Sequence, residues 1–272
     1  DMALYTAGGL TLFETSPRTV TFAETGGFDA GITGNSVFVD GQPLEVGSGA
    51  ATTSQGTLQA NLQIRDDYAP ELQRQLDEIA RGLIMAFAEK DQSATPTQPD
   101  MPGLFTWSGG TMLTSGTMQP GVAASIRVNP ALLTASGGNP MLLRDGGING
   151  AAYVSNPTGG AGFSDLLDGY VQGFDKDMAF DGAAGLGSSM TLFEFAADSV
   201  GWLEQNRSDA AASSETKDAF LYRTGEAYSN LTGVSLDEEM AILLELEQSY
   251  KATTRIISAV DEMLQALLMA AG

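Results

Sequence analysis

Gly233-Val234-Ser235-Leu236-Asp237-Glu238-Glu239-Met240 is the stretch that decides the reading, because it announces a helix and the apolar stripe behind it. Thr232-Gly233 breaks whatever helix comes before, Gly being the residue best suited to a left-handed helix end. Ser235 then stands as N-cap with Glu238 three residues on, the spacing of a capping box in which each satisfies an orphan backbone N–H. Asp237, Glu238 and Glu239 add negative charge at the positive end of the helix dipole. Behind them Met240, Leu243, Tyr250, Ile257, Val260, Leu264, Leu267 and Leu268 recur on one side, with Leu244, Leu246, Ile256 and Met263 broadening the stripe. A terminal helix with this much apolar surface needs a partner.

Working upstream, Phe193, Ala197, Val200, Leu203, Arg207, Ala210, Ser214, Lys217, Leu221, Thr224, Tyr228 and Leu231 sit three and four apart, predicting a long helix from about Ser189. A second helix is predicted from Asp66 to about Glu89. Pro70 suits its first turn, and Leu72, Leu76, Ile79, Leu83 and Phe87 form its stripe. Glu71, Arg74, Asp77, Glu78 and Arg81 fall largely outside that stripe, so solvent is their expected surrounding. Elsewhere Gly, Thr and Pro dominate. Val37-Phe38-Val39, Asp40-Gly41 and Gln42-Pro43-Leu44-Glu45-Val46 read as a hairpin on a type I′ turn, with Val20 and Phe22 as a further strand. Ser125-Ile126-Arg127-Val128 alternates into a turn at Asn129-Pro130.

The expected class is therefore α+β, with long helices forming a helical-bundle or coiled-coil domain beside β-rich segments, one of them inserted. Its parts are a β-rich segment at 1–60, a helix of the helical core at 61–90 and an inserted β-rich domain at 91–188. A returning long helix at 189–232 and a C-terminal assembly helix at 233–272 complete the chain.

Composition narrows the chemistry. The 272 residues include no His and no Cys, which removes Ser-His-Asp triads, Cys nucleophiles, disulfides and the usual zinc sites. Thirty-four acidic against 13 basic side chains leave a net charge of −21, which disfavours nucleic acid and anionic membrane surfaces. No apolar run approaches the ~18 residues of a membrane span, and Asp1-Met2-Ala3-Leu4 lacks the positively charged segment followed by an apolar one that a secretory signal would show. Asp165, Asp168, Asp175, Asp177 and Asp181 suggest calcium by type, but their spacing departs from the EF-hand pattern and a solvated acidic loop is the simpler reading of 165–181. Gly185-Leu186-Gly187-Ser188-Ser189 before a helix reads as a plain loop with a Ser cap rather than an anion cradle. No catalytic residue, metal ligand or cofactor site is assigned. A glycosidase pair among the many carboxylates has no local support.

The C-terminal residues say more than their periodicity. Gly233-Val234 and Leu236-Asp237-Glu238-Glu239, followed by Leu243-Leu244, Glu247-Gln248-Ser249-Tyr250-Lys251-Ala252 and Arg255-Ile256-Ile257-Ser258-Ala259-Val260-Asp261-Glu262-Met263-Leu264, resemble the C-terminus of bacterial flagellar axial proteins. Within that group they look most like the hook-associated protein 1 family, which forms the hook–filament junction. Hook and distal-rod proteins tend to open the related helix with a Val-Asp-Leu-Ser-like sequence instead. Gly56-Thr57-Leu58 through Leu62, Arg65-Asp66 and Leu76-Asp77-Glu78-Ile79-Ala80 are similar to the family's internal helix, and Phe193 to Leu203 to the start of its returning helix.

The resemblance implies a non-enzymatic structural protein of the extracellular flagellum, exported by the type III pathway without a cleaved signal. It implies a homo-oligomer packed through terminal helices, with hook protein and a second junction protein as neighbours. A cytoplasmic export chaperone is expected to cover Met240, Leu243, Leu246, Tyr250, Ile257, Val260, Leu264 and Leu267 before assembly. The family's long N-terminal helix has no counterpart here, so the chain is expected to be the C-terminal portion of a longer protein. Another axial protein, hook-like or flagellin-like, is the alternative within the class; an exported carboxylate-based glycan-active enzyme is the alternative outside it. A helix completed by neighbours is expected to be loose in the monomer and to order on assembly.

Overall fold

This computed structural model describes all residues except 1, 2, 7, 28–31, 48, 50, 51, 54, 234, 235 and 272, and the side chains of all those but 236, 270 and 271. It divides into two compact units, Asp1–Gln205 and Asn206–Gly272.

The first unit opens with short strands. β1 (Leu4–Tyr5) pairs antiparallel with β2 (Thr11–Phe13), and β3 (Val20–Thr21), β4 (Phe38–Val39) and β5 (Gln42–Pro43) form a second sheet in that order. The expected hairpin forms. Asp40 and Gly41 take φ of 50° and 80°, the two left-handed positions of a type I′ turn. The Asp40 carboxylate also accepts from the backbone N–H of Thr19 and from Arg18, fastening β3 to the turn. Phe22 lies just past the strand expected to hold it. Pro43, which has no N–H to donate, sits in an edge strand.

The central helix starts earlier than its stripe predicts. α1 (Thr57–Gln63) runs through a π-helical turn at Ile64–Tyr68 into α2 (Ala69–Ala86), with Pro70 in the first turn of α2. Its buried face differs from the expected one. Leu76 is 43% exposed, whereas Gln75, Asp77, Glu78 and Arg81 are buried along with Ala80 and Ile84. The reason is that α2 is covered on more than one side. One apolar cluster joins Ala80 and Ile84 to Leu113 and Val122, with Phe105, Trp107 and Ile126 against it. Another joins Phe180, Ala184, Leu192 and Phe195, with Ile79 and Leu83 against it, and the Phe180 and Phe195 rings stack 4.0 Å apart. Gly82 permits this approach, since a Cβ there would meet Leu192 Cδ1 at 2.6 Å.

Charged residues survive between these clusters because backbone groups meet them. Arg81 donates two hydrogen bonds to Glu78, at 2.9 and 2.6 Å, and a third to the Ala179 carbonyl at 2.6 Å. Glu78 also accepts from the Asp181 N–H at 2.9 Å, and Arg81 lies 5.7 Å from the Phe180 ring centroid. Asp77 accepts from the N–H groups of Gly121 and Ala123, at 2.9 and 2.8 Å. Gln75 donates to the Ala184 carbonyl and accepts from the Ser199 hydroxyl.

The segment after α2 holds less sheet than its alternating runs suggest. In chain order it carries β6 (Phe105–Thr106), α3 (Val122–Ser125), β7 (Arg127–Val128), α4 (Leu142–Asp145), α5 (Asp165–Phe174), β8 (Met178–Ala179) and β9 (Ser189–Met190). Just two two-residue pairings, β6 with β7 and β8 with β9, tie its strands together. Ser125 closes a helical turn, so the strand expected at 125–128 is reduced to Arg127–Val128, and Asn129 caps a turn of 3₁₀ helix at Pro130–Leu132.

Carboxylates do the organising that sheet ladders do elsewhere. Glu89 accepts from the N–H groups of Ile148 and Asn149 and from the Asn149 side chain, each at 2.9 Å. Asp91 gathers Ser93, Thr97 and Gln98. Asp145 takes a bidentate pair from Arg144 and an amide hydrogen from Asn156. The acidic stretch at 165–181 is not one loop: Asp165 and Asp168 begin α5, and Asp181 accepts from Met118 and Ala183 N–H groups.

Two long helices follow, α6 (Leu192–Thr232) and α7 (Leu236–Ala271). The cap of α6 is Thr191 rather than a Ser of the preceding loop, because Ser189 belongs to β9. Thr191 Oγ1 accepts from the Glu194 N–H while Glu194 accepts from the Thr191 N–H and hydroxyl, a complete capping box. Gly233 is not among the glycines with positive φ, and its N–H donates to the Ser229 carbonyl at 2.6 Å, so it prolongs the helical turn instead of reversing it.

Two outcomes follow from the buried ion pair and its satellites. Glu78→Leu strands a buried guanidinium and is expected to cost about 3–5 kcal/mol in chemical denaturation, whereas Glu78→Leu with Arg81→Met recovers much of that loss. Hydrogen bonds hold Asp145 (chiefly from Arg144), Asp181 (from Ala183 and Met118) and Glu194 (from Thr191) below their ordinary values of 3.8, 3.8 and 4.5. A carboxyl depressed on folding stabilises above its unfolded value and ceases to as pH falls through its folded one. Thermal midpoints are therefore expected to be flat from about pH 7 to 5 and to drop below about pH 4, with a shallower drop in Asp181→Asn.

Candidate assembly surface

Helix α7 carries the residues expected to meet a partner, and the structure places them there in solvent. Met240, Leu243, Leu246, Tyr250, Ile257, Val260, Leu264 and Leu267 are each between 44% and 76% exposed. Ile242, Leu244, Ile256, Met263, Leu268 and Met269 are exposed with them. Of the capping box, Ser235 lies outside the described residues. Glu238 is described in the first turn of α7 beside Asp237 and Glu239, a placement that complements the helix dipole.

The geometry of the stripe follows from its period. Leu243, Tyr250, Ile257 and Leu264 recur every seven residues; Leu246, Val260 and Leu267 lie three further on, with Thr253 in the remaining place. That is the a/d pattern of a coiled-coil seam. On a straight helix a seven-residue repeat drifts by roughly 20° per heptad, so unbroken contact along the whole stripe asks for a left-handed supercoil with the partner. Met240 stands one position beside the seam, with Ile256 and Met263 on the opposite flank. Polar residues share the rest with Ile242, Leu244, Leu268 and Met269, and include an exposed Glu247–Lys251 ion pair one turn apart. The chemistry this stripe offers is apolar packing.

α6 divides its apolar residues differently from the expected stripe. Leu192, Phe195 and Ser199 are buried in the first unit, and Trp202 meets Tyr68 edge-on at 6.0 Å. Phe193, Val200 and Leu203, which the spacing rule grouped as the packed face, are exposed instead. The overlooked signal was a second run at spacings of three and four, Leu192-Phe195-Ser199-Trp202, hidden because Ser199 is polar; its hydroxyl is satisfied by Gln75. From Arg207 to Thr232 every α6 side chain is exposed, Phe220, Leu221, Tyr222, Tyr228 and Leu231 among them.

The described carboxyls that depart from ordinary values, Asp91, Asp145, Asp181 and Glu194, all move down, because N–H, O–H or guanidinium donors favour their charged forms. A glycosidase acid needs the opposite shift. Burial, reinforced by the Glu89 charge, pushes the Tyr170 phenol up to about 12. Among the described residues no three acidic side chains converge to hold a metal ion, and no helix is long and apolar enough to cross a membrane.

Known proteins are similar in the same places. Residues 227–269 match the family model described as flagellar basal body rod FlgEFG protein C-terminal. Over 222 residues, 80% of this chain, the sequence is 25% identical to flagellar hook-associated protein 1 of Bacillus subtilis (strain 168). The chain matches 39% of that relative's length. No solved structure matches. Together these likenesses support a flagellar hook-associated protein, C-terminal region, and so a flagellar structural protein.

Side chains that already lie in water lose little when shortened. Leu243→Ala and Leu264→Ala are each expected to change the unfolding free energy of the monomer by less than about 0.5 kcal/mol, against about 3–5 kcal/mol for Phe195→Ala in the core; urea titration at low protein concentration separates the two.

Proposed function

We propose that the chain is the C-terminal region of a hook–filament junction protein, held in the extracellular flagellar axis by packing of α7 against neighbouring helices. The observation that carries this reading is the seven-residue apolar stripe of α7, which stands exposed among the described residues and coincides with the segment matching a flagellar axial family. The Leu236-Asp237-Glu238-Glu239 opening favours the junction over hook protein, and the likeness to a hook-associated protein over most of the chain points the same way.

On this reading Met240, Leu243, Leu246, Tyr250, Ile257, Val260, Leu264 and Leu267 form the surface between subunits. The same residues are the natural footprint of an export chaperone, because an amphipathic helix lays its apolar face into a groove whichever partner supplies it. Hook protein, a second junction protein and further copies of the chain are the proposed neighbours, type III export the proposed route, and no cofactor is required.

Deleting the source gene tests the role. Bare hooks under the electron microscope, with unpolymerised flagellin in the medium, are the expected outcome. Restoring the gene with Leu243, Ile257 and Leu264 all changed to Ser is expected to leave hooks bare although the first unit still folds. Normal filaments on the deleted strain would remove this protein from the junction.

A further inference from the structure

Asn149-Gly150 is the single Asn-Gly pair in the chain, and it occupies an unusual place. Asn followed by Gly is the peptide bond most prone to spontaneous deamidation, because no Cβ hinders the Gly nitrogen from reaching the Asn side chain. The Gly150 nitrogen gives up its proton to base and bonds to Asn149 Cγ, closing a five-membered succinimide. The Asn149 Cγ–Nδ2 bond breaks and ammonia leaves with the proton. Water then opens the ring at either carbonyl, leaving aspartate or isoaspartate at 149 with no change in oxidation state.

The fold holds both reacting groups elsewhere. The Gly150 N–H donates to the Gly147 carbonyl at 3.1 Å, so the nucleophile is committed to a turn. The Asn149 Nδ2 donates to Glu89 Oε2 and to the Pro102 carbonyl, each at 2.9 Å, so the leaving group is fixed away from it. The Asn149 and Ile148 backbone N–H groups complete the cage around Glu89, whose residue is 1% exposed. We propose that Asn149 is a modification site gated by folding: closed in the native chain, open when the chain is unfolded, and barred from returning once converted.

The bar comes from the same contacts. A carboxylate at 149 has no hydrogen to give to Glu89 or Pro102, and it sets a second negative charge against a buried one. Isoaspartate also adds a methylene to the backbone within the 147–150 turn. Since Glu89 joins the end of α2 to the 145–156 region, the converted chain loses the anchor between them. Time spent unfolded is thereby recorded covalently.

Incubating the whole chain in mildly alkaline buffer, with and without urea, and following the 149-containing peptide by mass and by isoaspartate labelling, tests the gate. Deamidation at 149 is expected to be at least about tenfold slower in the folded chain, since reaction there requires local opening. Equal rates would overturn the proposal. Asn149→Asp, made directly, is expected to melt lower than the parent or not to fold, with amide exchange hastened across 89–103 and 145–156 if it folds. An Asn149→Asp chain as stable as its parent would overturn the one-way step.

Discussion

The salt bridge between Arg81 and Glu78, buried on α2, is the constraint around which the first unit is arranged. Two opposite charges withdrawn from water must be met on every remaining donor and acceptor, or their desolvation outweighs their attraction. Here the Ala179 carbonyl and the Asp181 N–H meet them, and the two groups lie 98 and 103 residues away in sequence. The pair thus demands that one particular turn of a distant loop lie against one particular turn of α2. Asp77 makes the same kind of demand on Gly121 and Ala123, and Glu89 on Ile148 and Asn149.

This gives part of the acidic excess a structural use. A chain whose middle region has two-residue strands cannot satisfy its loop backbone by ladders, and orphan N–H groups are costly. Asp91 closes a turn locally, Asp181 does so while also holding the Met118 N–H, and Asp77, Glu78 and Glu89 reach across the fold. The arrangement accounts for acidic residues inside the first unit; those along α6 and α7 stand in water.

The second unit follows a different physical rule. Its helices are internally complete in backbone hydrogen bonds but leave their apolar side chains in solvent, so their stability depends on whatever covers them. The family-model match at 227–269 falls on the same helix. The contrast between the carboxylate-locked unit and the bare stripe of α7 separates side chains met within the fold from side chains left in solvent.

Patterns carried by neighbouring residues were readable in advance. The hairpin at Asp40-Gly41 depends on backbone dihedrals that Gly tolerates, the long helices on spacings of three and four, and the stripe of α7 on a seven-residue repeat; all are local properties, as is the α+β class they sum to. The box at Thr191 and Glu194 was equally local and equally readable, though Ser189 drew attention from it. What tertiary structure alone decided is which side of each helix is inside. Asp77, Glu78 and Arg81 look like a solvated face because sequence reports their charge but not the N–H and C=O groups of residues 121, 123, 179 and 181 that satisfy it. The stripe of Phe193, Val200 and Leu203 looks like a core because sequence reports its apolarity but not that Ser199, paired to Gln75, takes the buried place. Burial of a polar group is settled by partners far along the chain, and only the folded backbone brings those within hydrogen-bonding distance.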